Sequence, residues 1–120
     1  MSVVSYQDLL VWQRAMDYVV FCYEITASFP KEVYGLTSQL RRSAVSIPSN
    51  IAEGHGRNTR GEYIQFLGIA RGSLKESETQ IILASRLKYI SNETSQNVLL
   101  KSKEVGILLG KLINSLKEKS

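Results

Sequence analysis

Apolar residues recur at every third or fourth position along four segments of this chain, and no stretch alternates with period two for long enough to make a strand. The pattern is cleanest between Leu36 and Arg57, LTSQLRRSAVSIPSNIAEGHGR. Leu36, Leu40, Ala44, Ile47 and Ile51 advance by four, four, three and four, which stacks them on one helical face. Beside them runs a polar stripe of Gln39, Arg42, Ser46, Asn50 and Glu53. Solvated helix faces are usually written in Lys and Glu, because short Ser and Asn side chains compete for the backbone and weaken a helix. The stripe therefore predicts a packed polar contact, with a neighbouring helix, another subunit or a ligand.

Breaks between the periodic segments place the helices at about 8–29, 36–53, 60–88 and 92–117. Pro30 stops the first, and Gly54-His55-Gly56 reads as a stop for the second. Thr59 and Glu62 have capping-box spacing at the start of the third, and Ser91-Asn92 turns the chain into the fourth. Pro48 inside helix two removes one backbone hydrogen bond and predicts a kink near Ala44 to Ser46. Long helices joined by short connections are forced into antiparallel neighbours. The expected architecture is all-α, an up-down-up-down four-helix bundle in a single domain over residues 1–120.

The expected inward faces are Trp12, Ala15, Met16, Val19, Tyr23 and Thr26 on helix one, Tyr63, Leu67, Ala70, Leu74 and Ile81 on helix three, and Val98, Val105, Leu109, Leu112 and Leu116 on helix four. A second apolar stripe on helix one (Tyr18, Phe21, Ile25) and another on helix three (Ile69, Leu83, Leu87) exceed what a solitary bundle buries. Those six residues are the expected oligomer interface. Gly68 and Gly72, one turn apart on helix three, either admit another backbone or accommodate a bulky neighbour such as Trp12.

The net charge of +4 comes from the middle of the chain, where residues 36–90 carry eight basic against four acidic groups, including six of the seven arginines. Guanidinium groups suit bidentate pairing with carboxylate or phosphate. Arg41, Arg42, Arg57, Arg60, Arg71 and Lys75 are the candidate nucleic-acid contacts. Arg57 and Arg60 flank a turn and are the favoured pair, while Arg42 and Arg71 are candidates for internal ion pairs. Glu78, at the margin of the helix-three core, is expected to meet Arg71 or an arginine of helix two, since a charge there is costly without a partner. Tyr6, Tyr34 and Tyr89 lie near helix ends, where they can stack bases or cover the core.

Catalytic constellations are not in evidence. His55 is the single histidine and stands between glycines, which predicts a solvated loop side chain and leaves no Glu-x-x-His pair for a di-iron bundle site. Asp8 and Asp17 are the only aspartates, and no strand precedes a glycine-rich loop that might cradle phosphate or present a nucleophile. No catalytic residue, metal or cofactor is expected, and the chain reads as a non-enzyme. Cys22 cannot form an intramolecular disulfide and is expected as a small core hydrophobe. No apolar run approaches the length of a membrane span, and Met1 to Leu10 lacks a signal-peptide pattern, so no membrane partner and a cytoplasmic location are expected.

Three stretches, DLLVWQRAMDYV, FPKEVYGLTSQLRRSAVSIPSNIAEGHGR and EYIQFLGIARGSLKESETQ, resemble the four-helix-bundle family of 23S rRNA intervening-sequence proteins. The string LRRSAVSIPSNIAEG is its most specific part. The resemblance implies small helical bundles assembled as ring-shaped homopentamers with basic surfaces. It also implies kinship with the accessory protein of diversity-generating retroelements, and so nucleic acid and a reverse transcriptase or other protein as partners. The chain departs at Ser77, where relatives commonly carry an apolar residue, and weaker local packing is expected there. The function expected is that of an oligomeric RNA- or DNA-binding accessory protein. The alternative is an oligomeric protein-binding scaffold.

Overall fold

The computed structural model describes residues 5–119 of the 120-residue chain; the first four residues and the last, which the expected domain includes, lie outside the described residues. A 3-10 turn at Tyr6–Asp8 leads into α1 (Leu10–Thr26), and a second at Lys31–Val33 leads into α2 (Tyr34–His55). Then come α3 (Arg60–Arg86) and α4 (Asn92–Glu118). Each helix packs on its two chain neighbours and α4 closes on α1, giving a square four-helix bundle of 47 × 23 × 20 Å. No strand occurs among the described residues.

Local chemistry explains the boundaries. The hydroxyl of Thr59 accepts from the Glu62 amide at 3.1 Å and donates to the Glu62 carboxylate at 3.1 Å, a variant of the expected box that caps α3. Ser91 caps α4 in the same way through the Thr94 amide. At the far end of α3, Lys88 adopts a left-handed φ of 64°. Its amide reaches the Ser85 carbonyl at 3.0 Å and the Tyr89 amide the Ala84 carbonyl at 2.9 Å, the two bonds of a Schellman stop without the usual glycine. Helix α1 ends earlier than expected, at Thr26, because Pro30 bars its preceding residue from helical geometry and Ser28 takes the Ile25 carbonyl at 2.8 Å.

Helix α2 departs from expectation at its end. Gly54 and His55 belong to the helix, and Gly54 is buried. A Cβ at Gly54 would lie 2.8 Å from the Cβ of Phe66 and 3.2 Å from the Tyr63 carbonyl oxygen, so this glycine marks where α3 approaches most closely. The His55 ring is half-buried, edge-on to Tyr63 at 5.8 Å, and is not a loop histidine. Pro48 is buried within α2, which continues past it. Gly54→Ala is expected to cost about 1–3 kcal/mol, because an added methyl must push apart two packed helices, although alanine is the better helix former. Urea unfolding checks this: an unchanged midpoint would mean that the helices separate freely.

The α2 face is as expected, with Leu40, Ala44, Ile47 and Ile51 fully buried. On α1 the expected face holds only in part, at the buried Ala15 and Thr26. Val11, Ala15, Tyr18, Cys22 and Ile25 point inward, Trp12 and Val19 are half-buried, and Met16 and Tyr23 are exposed. In this orientation the polar groups of α1 find partners. Tyr18, fully buried, places its hydroxyl 2.8 Å from that of Ser77 on α3. Ser77 also donates to the Leu74 carbonyl at 2.7 Å, so the Tyr18 hydroxyl is the donor to Ser77. The polar departure at Ser77 is thus a matched pair across the core, not a packing defect. Trp12 is covered from outside by Tyr6, ring centroids 5.3 Å apart. Burial raises the Tyr18 phenol above its ordinary range and pushes the Cys22 thiol up to about 12, which leaves Cys22 an unreactive core group.

Candidate nucleic-acid interface

Helices α2 and α3 are joined by hydrogen bonds as well as by apolar contact. Ser43 donates to Gln80 at 2.7 Å. Asn50 donates to the Ser46 carbonyl at 2.7 Å and to its hydroxyl at 2.9 Å, and the Ser46 and Ser73 hydroxyls share a hydrogen bond at 2.8 Å. For Ser46 the partner of the polar stripe is therefore the neighbouring helix, while Asn50 bonds back to Ser46 within α2. Gln39, Arg42 and Glu53 of the same stripe remain exposed. Gln39, Arg42, Ser43, Ser46, Ser73 and Glu76 line a polar cleft of about 440 Å³ between the two helices. The Glu76 carboxylate there accepts from Gln80 at 3.4 Å, and the Arg42 guanidinium has no carboxylate partner among the described residues.

The six expected cationic contacts divide into two groups. Arg41 is spent on the fold: its Nε donates to the Thr26 hydroxyl at 2.8 Å, an Nη donates to the Tyr23 carbonyl at 3.4 Å, and the guanidinium lies 4.5 Å over the Tyr23 ring. It latches α2 to the end of α1. Arg57 pairs with Glu53 at 3.3 Å and covers the Phe66 ring at 4.7 Å, and Lys75 pairs with Glu78 at 3.3 Å. Arg42, Arg60 and Arg71 are exposed and unpaired among the described residues. The expected ranking is corrected accordingly. Arg57 is engaged by a carboxylate one helical turn away, whereas Arg42 and Arg71 have none within ion-pair distance among the described residues.

Glu78 is also corrected. It meets no arginine; it accepts a short hydrogen bond from Ser102 on α4 and an ion pair from Lys75, with its side chain 20% exposed. Of the expected oligomer surface, Tyr18 and Ile25 belong to the core of the single chain, because α1 is rotated from the orientation its pattern suggested. Phe21 is half-buried with the Lys101 ammonium 5.2 Å over its ring. Ile69, Leu83 and Leu87 do lie exposed on α3. A Cβ at Gly68 or Gly72 would meet nothing within 4 Å, so neither makes room for Trp12. Tyr6 and Tyr89 cover core residues, the latter against Phe29 at 5.8 Å, and Tyr34 is exposed. Among the described residues no helix is long and apolar enough to cross a membrane.

The family model described as 23S rRNA-intervening sequence protein matches residues 7–111, which takes in α1 to α3 and most of α4. The chain belongs to this family. A crystal structure of a protein with unknown function from the S23 ribosomal protein family, from Bacteroides thetaiotaomicron, shares the fold at a TM-score of 0.80 and 26% identity, covering 87% of this chain and 98% of that one. No curated protein matches the chain. Within this intervening-sequence family chain, LRRSAVSIPSNIAEG is the stretch that supplies the Arg41 latch, the Ser46 and Asn50 contacts and the close approach at Gly54. Most of the motif thus acts in joining α2 to α1 and α3. Arg42 is its cation left over.

Proposed function

We propose that this protein is a non-enzymatic nucleic-acid-binding accessory protein that acts as a cyclic homo-oligomer, of five copies as the family resemblance implies. The observation that carries the reading is the unpaired state of Arg42, Arg60 and Arg71 on a chain whose other candidate cations have internal partners. Guanidinium groups held on rigid helices neutralise phosphates without reading base sequence. Repetition around a ring multiplies the +4 of each chain and concentrates it.

The test is recovery of whatever accompanies the tagged protein at low salt, with and without nuclease. Nuclease-sensitive RNA or DNA that a salt step releases is the expected result. Protein partners that persist after nuclease, with no nucleic acid, would replace this reading with that of a protein-binding scaffold.

A further inference from the structure

Helices α3 and α4 leave between them an open groove of about 460 Å³, more apolar than the α2–α3 cleft. Leu99 and Ile107 form its walls above the buried Leu74, and Gly106, without a side chain, leaves the space beside Leu74 open. Two cations at its rim, Arg71 and Lys103, have no carboxylate partner among the described residues, while Lys75 is held by Glu78. An apolar groove with unpaired positive charge at its edge fits a helix that offers an apolar side chain between carboxylates.

This chain carries such a helix. On α1, Val20 is 56% exposed, and Asp17 and Glu24 stand three residues before it and four after, on one side of the helix. Asp17 shares Arg14 loosely, at 3.6 Å, with Glu104 at 3.3 Å, and Glu24 has no cation partner among the described residues. Asp17 lies toward α4, where it lines a pocket with Lys101 and Glu104. The Asp17 end of the acidic ridge therefore lies on the α1–α4 side, next to the α3–α4 side that carries the groove.

We infer that successive copies join head to tail, with the Asp17-Val20-Glu24 ridge of one copy seated in the Arg71-Lys103 groove of the next. This rests on the reading of the protein as a homo-oligomer and names the surfaces that build it. Two different patches make a heterologous contact, and patches on adjacent sides turn the chain of copies at every step, as ring closure requires. Val20 enters the groove beside Leu99 and Ile107. Its flanking carboxylates meet the rim cations, which fixes register and rejects the reverse orientation. Arg71 then serves assembly, and Arg42 and Arg60 remain for nucleic acid.

Sedimentation velocity at micromolar concentration tests the contact. Asp17→Lys with Glu24→Lys, or Arg71→Glu with Lys103→Glu, sets like charges against each other and is expected to weaken association roughly a hundredfold or more, to monomer. All four changes in one chain restore the complementarity, and that variant is expected to assemble as the wild type does. Val20→Arg, at a site already in solvent, dissociates the assembly with helicity intact. Leu83→Glu, outside the contact, leaves it whole. Reversed variants that still assemble, a four-change variant that stays monomeric, or dissociation by Leu83→Glu alone would overturn the contact while keeping the oligomer. A monomeric wild type would overturn both.

Discussion

Arg42→Glu combined with Arg60→Glu is expected to weaken nucleic-acid binding roughly sixtyfold or more at about 100 mM salt, with helicity and assembly unchanged. The magnitude follows from counterion release. Each phosphate contact contributes about 0.9 to the slope of log K against log salt, so two lost contacts remove nearly two powers of ten at 0.1 M, before any repulsion from the new carboxylates. Both side chains are exposed and unpaired, so the fold loses nothing with them. Arg41→Glu is the informative contrast. It breaks the bonds to Thr26 and Tyr23 and is expected to lower stability, so a binding loss in that variant would report on the bundle. Filter binding with a structured RNA at fixed salt reads the effect. Equal affinity of the double variant and the wild type would remove Arg42 and Arg60 from the interface.

Tyr18→Ala is expected to destabilise the chain by about 3–5 kcal/mol, the range for truncating a fully buried aromatic side chain. Thermal unfolding followed by circular dichroism should show a fall of roughly 10–20 °C for a domain of this size. The variant leaves a cavity at the centre of the bundle and takes from Ser77 its cross-core partner. Tyr18→Phe keeps the ring and loses only the hydroxyl, for about 1 kcal/mol, since Ser77 retains the Leu74 carbonyl. Had Tyr18 faced a neighbouring subunit, as its stripe suggested, the alanine variant would dissociate an oligomer and leave the isolated bundle as stable as before. A variant that is monomeric with an unchanged melting temperature would favour a subunit-facing Tyr18.

The contrast between α1 and α2 shows what the sequence makes legible. On α2 one side is apolar and the other polar, so Leu40, Ala44, Ile47 and Ile51 can only point inward, and they do. On α1 both Trp12-Val19-Tyr23 and Val11-Tyr18-Ile25 are apolar rows, and periodicity cannot choose between them. The choice is made by Ser77, far along the chain, which accepts from the Tyr18 hydroxyl, and by Arg41, which holds the Tyr23 carbonyl at the surface. The same limit applies at Gly54. A glycine after a helical run reads as a stop, and only the approach of Phe66 shows it to be a packing position.

Site residues were legible as a class and not individually. That cations gather in the middle of the chain follows from composition. Which of them stay free depends on whether a carboxylate or carbonyl comes within reach in the folded bundle. Glu53 lies one turn from Arg57, so that pair was open to sequence reasoning at i, i+4 spacing. The Arg41 latch needs α1 and α2 side by side, and the Ser102 partner of Glu78 needs α3 against α4. The ridge around Val20 could not be separated from core positions until α1 had its rotation.

A salt titration of wild-type binding to a structured RNA tests the account most directly. With about six phosphates neutralised per complex, log K should fall linearly with log salt at a slope near −5, a loss of about a thousandfold between 50 and 200 mM. Absence of binding at low ionic strength, or an affinity that does not change over that range, would contradict the nucleic-acid reading.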